Sequence, residues 1–320
     1  MFLTILDIIL AGILMGGIYS LVAAGFNLQY GVARILNVSH GEFIMLGAMG
    51  AFSLNNIFGI NPLISLIICA PIVLLIGFFF HAIVFRRLSR ISENIKEFEG
   101  NSLLACFGIL FIIQNVALLA WGGDERGYSF LVLPVNLLGA IFAANRLVAL
   151  LISIVLSFVF YFFLTRTRVG KAIRAVTQDL TAAKIIGINT TMMQGLCFGL
   201  GALLAGTAGV LLSTMFEVTP LMGMEYTIIA MIVVVLGGLG NILGSMLGGM
   251  ILGIIGSIAV YIHPGISLIA FYAIFTILIL LRPEGVFLKK CRARERHITC
   301  GCGEHAPTYC KDHIQEDAYQ

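Results

Sequence analysis

The chain has 320 residues, 59% of them hydrophobic and 11% charged, with a formal net charge of +3. Soluble domains hold roughly 45–50% apolar and about 25% charged residues, so a water-soluble globule is excluded and an all-α, polytopic membrane protein is expected. Nearly all basic residues sit in loops and the tail, so the formal charge says little about partners, and no nucleic-acid partner is expected.

In chain order, apolar segments fall near residues 5–28, 37–55, 62–85, 102–121, 146–164, 192–213, 226–240, 242–262 and 266–281. A helix of about 20 apolar residues crosses a bilayer, which predicts eight or nine transmembrane helices. The first segment lacks a basic leader and runs straight into further apolar sequence, so no signal peptide is invoked. Segment 37–55 carries His40 and Glu42, and segment 226–240 ends in the run LGGLGN. Both read as broken or re-entrant helices, which lipid tolerates only where the backbone is buried in protein or lines a cavity.

The bias of lysine and arginine sets the expected orientation. Sixteen of the nineteen lie at 86–96, at 166–184 or beyond 281, which places these parts and the C-terminus in the cytoplasm and leaves 122–145 outside. Nine crossings put the N-terminus outside; eight put it inside. Glycines crowd the spans at 12–17, 199–209 and 237–253, a spacing that lets helix backbones approach closely. His81 and His263, near span ends, read as interfacial residues.

Residues 166–189 form a basic island, and the 97 residues that follow Lys184 contain no lysine or arginine. Arg168, Lys171 and Arg174 repeat at i, i+3, i+6 and mark one stripe of a helix, with Val169, Ile173 and Val176 on an apolar stripe. Asp179 fits the N-cap of a second short helix, Leu180–Ile186. Gly187 fits its C′ position, where the left-handed turn favours glycine. From this pattern the loop is equally an interfacial helix held by membrane lipid and a surface that docks a cytoplasmic partner.

The string GKAIRAVTQDLTAAKIIGINT (170–190) resembles the cytoplasmic coupling loop of ABC-importer permeases of the LivH branched-chain amino-acid type. Blocks at 16–52 (containing NVSHGEF), 234–254 and 282–287 (RPEGVF) match the same family in the same order, and the resemblance covers roughly 5–288. Several ordered matches outweigh one short motif. The resemblance implies a transmembrane permease domain over 1–288, with the coupling loop at 166–190. It also implies an importer in the inner membrane with a second, related permease, two ATP-hydrolysing subunits and a periplasmic binding protein as partners. Gly170, Arg174, Asp179, Ala183 and Gly187 would then form the ATPase-coupling element. The chain has no G-x-x-x-x-G-K-[ST] phosphate loop, so ATP and Mg are expected on the partner ATPases, with no cofactor and no enzymatic activity in this chain.

Asn37, Ser39, His40 and Glu42 form the densest polar cluster at a span boundary. An ionised carboxylate in a bilayer is costly, so Glu42 is expected to face a cavity, an interface or a donor. One reading has Asn37 capping a half-helix and Glu42 offsetting its positive end. The functional reading has all four lining the translocation pathway or its gate. Residues 289–320 form a tail that departs from the family pattern and reads as a flexible appendage. It gathers Cys300, Cys302, His305 and Cys310, soft ligands without the paired C-x-x-C spacing of a specific zinc site.

The leading expectation is therefore an ATP-driven importer permease for leucine, isoleucine and valine. The same machine carrying urea or short amides is a close alternative, and nothing in the spans separates the two. An ion-coupled secondary carrier would need Glu42 or Glu225 to titrate within the membrane. An intramembrane zinc enzyme is disfavoured, because His40 and Glu42 are two apart and not at i, i+4.

Overall fold

The computed structural model describes residues 2–137, 140–263 and 266–281. The Cys/His tail, its four metal candidates and the RPEGVF block lie outside the described residues. Twelve α-helices are described: α1 (Phe2–Ala33), α2 (His40–Phe58), α3 (Pro62–Phe80), α4 (Arg86–Ile91), α5 (Ile95–Trp121), α6 (Ala144–Arg166), α7 (Arg168–Gln178), α8 (Leu180–Ile185), α9 (Thr190–Ser213), α10 (Gly223–Gly237), α11 (Ile242–Ile262) and α12 (Ile266–Leu281). A π-helical turn, His81–Phe85, joins α3 to α4.

Six of the described helical stretches are long and apolar enough to cross a membrane: Thr4–Ala33, Pro62–Ile91, Lys96–Trp121, Ala144–Arg166, Thr190–Ser213 and Ile242–Ile262. Helix α2 carries His40, Glu42, Ser53, Asn55 and Asn56 along its length, while α10 and α12 have only 15 and 16 residues. The chain is a mostly helical, multi-pass membrane protein.

Helices α1 and α11 run antiparallel in close contact. Gly12 lies against Ile254 and Gly16 against Met250, and a Cβ on Gly253 would strike the backbone of Gly16. The seam is closed by polar bonds as well. The Ser20 hydroxyl donates to the Met246 carbonyl at 2.5 Å, and Asn27 Nδ2 donates to Ser245 Oγ at 2.6 Å. In lipid, apolar side chains gain little from meeting each other, so close backbone approach and such bonds hold helices together.

Helix α9 is the hub, buried along most of its length. Its glycines admit α1, α2 and α3: Gly201 meets Gly25, Gly206 meets Gly47 and Val73, and Gly199 meets Leu74. The outer faces of α3, α5 and α6 stay apolar and uncovered, with Ile67, Leu75, Leu104, Leu119 and Phe158 all exposed. Faces of this kind suit acyl chains, since no cost attaches to their meeting lipid.

Two features depart from expectation. Residues Pro134–Leu137 and Ala140–Ala143 pair as antiparallel strands, with Pro134 opposite Ala143, and Arg126 bridges Val218. Part of the 122–145 segment thus forms paired strands, so the chain is not strictly all-α. His81 is not interfacial: it is buried in the π-turn, its ring against Phe85 and Phe198. Gly195 on α9 leaves the space that the ring fills.

Candidate functional site

The basic loop folds as two helices tied back to the body. Thr167 caps α7, its hydroxyl oxygen accepting the Gly170 amide at 3.0 Å. Arg174 Nη2 donates to the Thr165 carbonyl at 3.1 Å, placing a cation at the C-terminal, negative end of α6. Of the expected apolar stripe, Ile173 and Val176 are buried, but Val169 is 37% exposed and Gly170 takes its place. A Cβ on Gly170 would collide with the Phe163 and Leu164 carbonyls, so α7 turns its smallest residue toward α6 and Val169 rotates outward. Arg168, Lys171 and Arg174 share the exposed side.

Asp179 caps α8 as the sequence predicts: one Oδ1 accepts the Thr181 amide at 2.8 Å and the Ala182 amide at 3.0 Å. At the other end Gly187 has φ +86°. Its amide donates to Lys184 O at 3.1 Å, and the Ile188 amide donates to Ala183 O at 3.0 Å. These two bonds are a Schellman closure, which satisfies carbonyls that a helix end leaves free. Ala183 is buried against the body, while Ile185 and Ile186 are 80% and 70% exposed. A six-residue helix fixed at both ends thus projects two bare isoleucines beside Lys184 from the basic face.

The second cluster lies where the backbone breaks between α1 and α2. Residues 34–37 are not helical, and Arg34 takes φ +54°. Gln29 on α1 organises the cluster. Its Nε2 donates to Phe198 O at 2.9 Å, and its Oε1 accepts Asn37 Nδ2 at 2.9 Å and faces His40 Nδ1 at 3.1 Å. His40 Nε2 faces the Val22 carbonyl at 3.2 Å, so a neutral ring donates to one of these oxygens at a time. Asn37 does not cap α2. The N-cap is Ser39, whose side chain makes no capping bond. Asn37 Oδ1 instead accepts from the Ser39 amide and hydroxyl at 3.1 and 2.6 Å, an Asx turn that sets the loop before the helix.

Glu42 is fully buried, and neither carboxylate oxygen has a hydrogen-bond partner. Its carboxylate packs on Gly223, the first residue of α10, where a Cβ would overlap it. Next to it the Gly41 amide donates to Thr227 Oγ1 at 2.8 Å, and that hydroxyl faces Val38 O at 3.1 Å and Gly223 O at 3.2 Å. The starting ends of α2 and α10 therefore meet at one buried carboxylate. Both carry positive dipole ends, which favour a negative charge between them. The four expected residues come together here, joined by Gln29, Gly223 and Thr227, which the sequence reading missed. Gln29 and Thr227 were visible only as polar residues inside apolar runs, and their partners lie 4 to 189 residues away.

Among the described residues no group of three or more His, Cys, Asp or Glu is arranged to hold a metal ion.

A family model described as the permease component of branched-chain amino acid transport systems matches residues 8–282. The high-affinity branched-chain amino acid transport permease protein BraD of Pseudomonas aeruginosa is 29% identical over 291 residues, 86% of this chain and 93% of that protein. The corresponding LivH of Escherichia coli K12 is 28% identical over 302 residues, covering 89% of this chain and 96% of LivH. A solved structure, PsaBC from Streptococcus pneumoniae in complex with Fab, aligns over 89% of this chain and 97% of that chain with TM-score 0.45 and 13% identity.

Proposed function

Because this chain belongs to the family of branched-chain amino acid transport permease components, we propose that it is the membrane-spanning subunit of an ATP-driven importer for leucine, isoleucine and valine. It works beside a second, related permease, receives the amino acid from a periplasmic binding protein, and takes its energy from two ATPase subunits that bind ATP and Mg. Helix α8 is the coupling helix, and the face that carries it with Arg86, Arg90 and Lys171 is cytoplasmic, as is the C-terminus. The nine helices α1, α2, α3, α5, α6, α9, α10, α11 and α12 make up the membrane part, with the backbone broken between α1 and α2.

The observation that carries this reading is α8 itself: capped at both ends, seated by Ala183, and baring Ile185 and Ile186 on a basic face. A partner groove accounts for two isoleucines exposed beside the seat of Ala183. Mechanically, α8 leads through Ile188 and Asn189 into α9, and α7 is clamped to α6 by Arg174. A push on α8 therefore moves α6 and the hub helix together. Helix α9 in turn meets α2 at Gly209 and Ile44, half a turn from Glu42. This supports Asn37, Ser39, His40 and Glu42 as part of the pathway or its gate, opened as the permease halves rock between inward- and outward-facing states.

The test is uptake of labelled leucine and labelled urea into vesicles holding this chain, its second permease and the ATPases, with binding protein supplied. ATP-dependent leucine uptake is expected, with loss of uptake and of ATPase co-purification in Ile185→Glu/Ile186→Glu. Urea uptake would change the cargo and keep the machine. Ion-driven uptake by this chain alone, indifferent to ATP, would overturn the reading and direct attention to Glu42.

A further inference from the structure

A pocket opens where α1, the π-turn, α4, α5 and α9 meet on the basic side of the molecule. Phe85 and Phe98 supply apolar wall, and Arg86, Arg90, Thr191 and Gln194 supply donors. It leaves about 50 Å³ free, where ~10–15 Å³ suffices for one water. That is room for one phosphate-sized group and too little for an amino acid or a nucleotide.

The π-turn is what points the arginines at this space. The Arg86 amide donates to His81 O, five residues back, so one extra residue is accommodated in the turn. Each residue advances a helix by about 100°, so the insertion re-aims everything after it. Arg86 and Arg90, four apart, then share the face that lines the pocket, while Arg87 does not line it. Neither guanidinium has an ion-pair partner among the described residues. Of the acids that follow in sequence, Glu97 is turned to the backbone, its Oε2 accepting the Glu93 amide at 3.0 Å. Close by in sequence, the outer faces of α3, the π-turn and α5 stay apolar and uncovered, with Phe79, Ile83 and Leu104 exposed.

We propose that this pocket binds the phosphate of an anionic phospholipid, held by Arg86 and Arg90 with Thr191 and Gln194 as added donors, its acyl chains lying along the bare faces of α3 and α5. Two guanidiniums suit a phosphodiester because each offers paired N–H groups to its oxygens. The position at the water–bilayer boundary selects a lipid over a free anion, and the assignment stands whatever cargo the permease carries.

The test is native mass spectrometry of the full-length permease in mild detergent, titrated with phosphatidylglycerol or phosphatidylcholine. Wild type is expected to retain phosphatidylglycerol selectively, and Arg86→Gln/Arg90→Gln to lose it by about fivefold per arginine. Arg87→Gln should retain it fully, and Arg86→Lys/Arg90→Lys partly, because charge remains and the paired geometry does not. If the double variant is not recovered folded, Arg90→Gln alone, exposed near the end of α4, serves the same comparison. Equal loss in Arg87→Gln would mean diffuse surface charge and overturn the site. Displacement by millimolar glycerol 3-phosphate would mean a free-anion site. Loss of the lipid once the ATPases assemble would give the arginines to a partner's carboxylate.

Discussion

At the start of α8 a single oxygen, Asp179 Oδ1, satisfies two amides that a six-residue helix has no other means of pairing. Removing such a cap costs about 1 kcal/mol, a large share of what so short a helix can supply. Asp179→Ala is therefore expected to speed amide exchange across 180–186 while the spans stay protected, and to weaken substrate-stimulated ATP hydrolysis in the assembled importer. Unchanged hydrolysis would remove α8 from the coupling path. Glu42 poses a different problem, for its oxygens have no donor and its neighbour is a bare Cα. Gly223→Ala should lower the melting temperature of the purified permease, overpacking of this kind costing about 1–3 kcal/mol. Glu42→Ala in the same chain should relieve that loss, since it empties the space the new methyl needs. A double variant as unstable as the sum of the two singles would show that Glu42 and Gly223 are not in contact.

At the scale of elements, α8 was legible because its signals are local. A cap, a six-residue run and a glycine lie within nine residues, and each acts on its immediate neighbours. The same locality makes Gly187 sensitive. Proline there lacks the amide that bonds Lys184 O and has φ fixed near −65°, against the +86° observed. Gly187→Pro is expected to abolish ATP-dependent uptake while the permease reaches the membrane in normal amount, read by labelled leucine and by membrane fractionation. Val169 was misplaced because its stripe was drawn from helical periodicity alone, whereas the carbonyls of Phe163 and Leu164 leave room only for Gly170 on that side. The π-turn was invisible for a similar reason: an extra residue inside a long apolar run leaves no mark in composition, and the turn is held by its packing on α9.

At the scale of the molecule, the membrane-facing surface is apolar and the described interior is sewn by glycine contacts centred on α1, α9 and α11. The family match ends at residue 282, so the tail beyond residue 288 lies outside it. Deleting 296–320 is expected to leave leucine uptake at the wild-type level, since these residues lie beyond the stretch that the family match covers. A loss of uptake restored by added zinc would instead give Cys300, Cys302, His305 and Cys310 a working role.

The sequence by itself determined the class of protein, most of its helical segments and the two short helices of the basic loop. Hydropathy over about 20 residues, charge bias and helix caps act over short stretches and survive in one dimension. Tertiary structure alone decided what surrounds Glu42, which arginines line a pocket, and that 134–137 pairs with 140–143. Those outcomes depend on which distant backbones come within van der Waals reach: Gly223 beside Glu42, Gly195 beneath His81, and Val218 against Arg126. No local pattern encodes that proximity, because it is settled by how the glycine seams let whole helices pack.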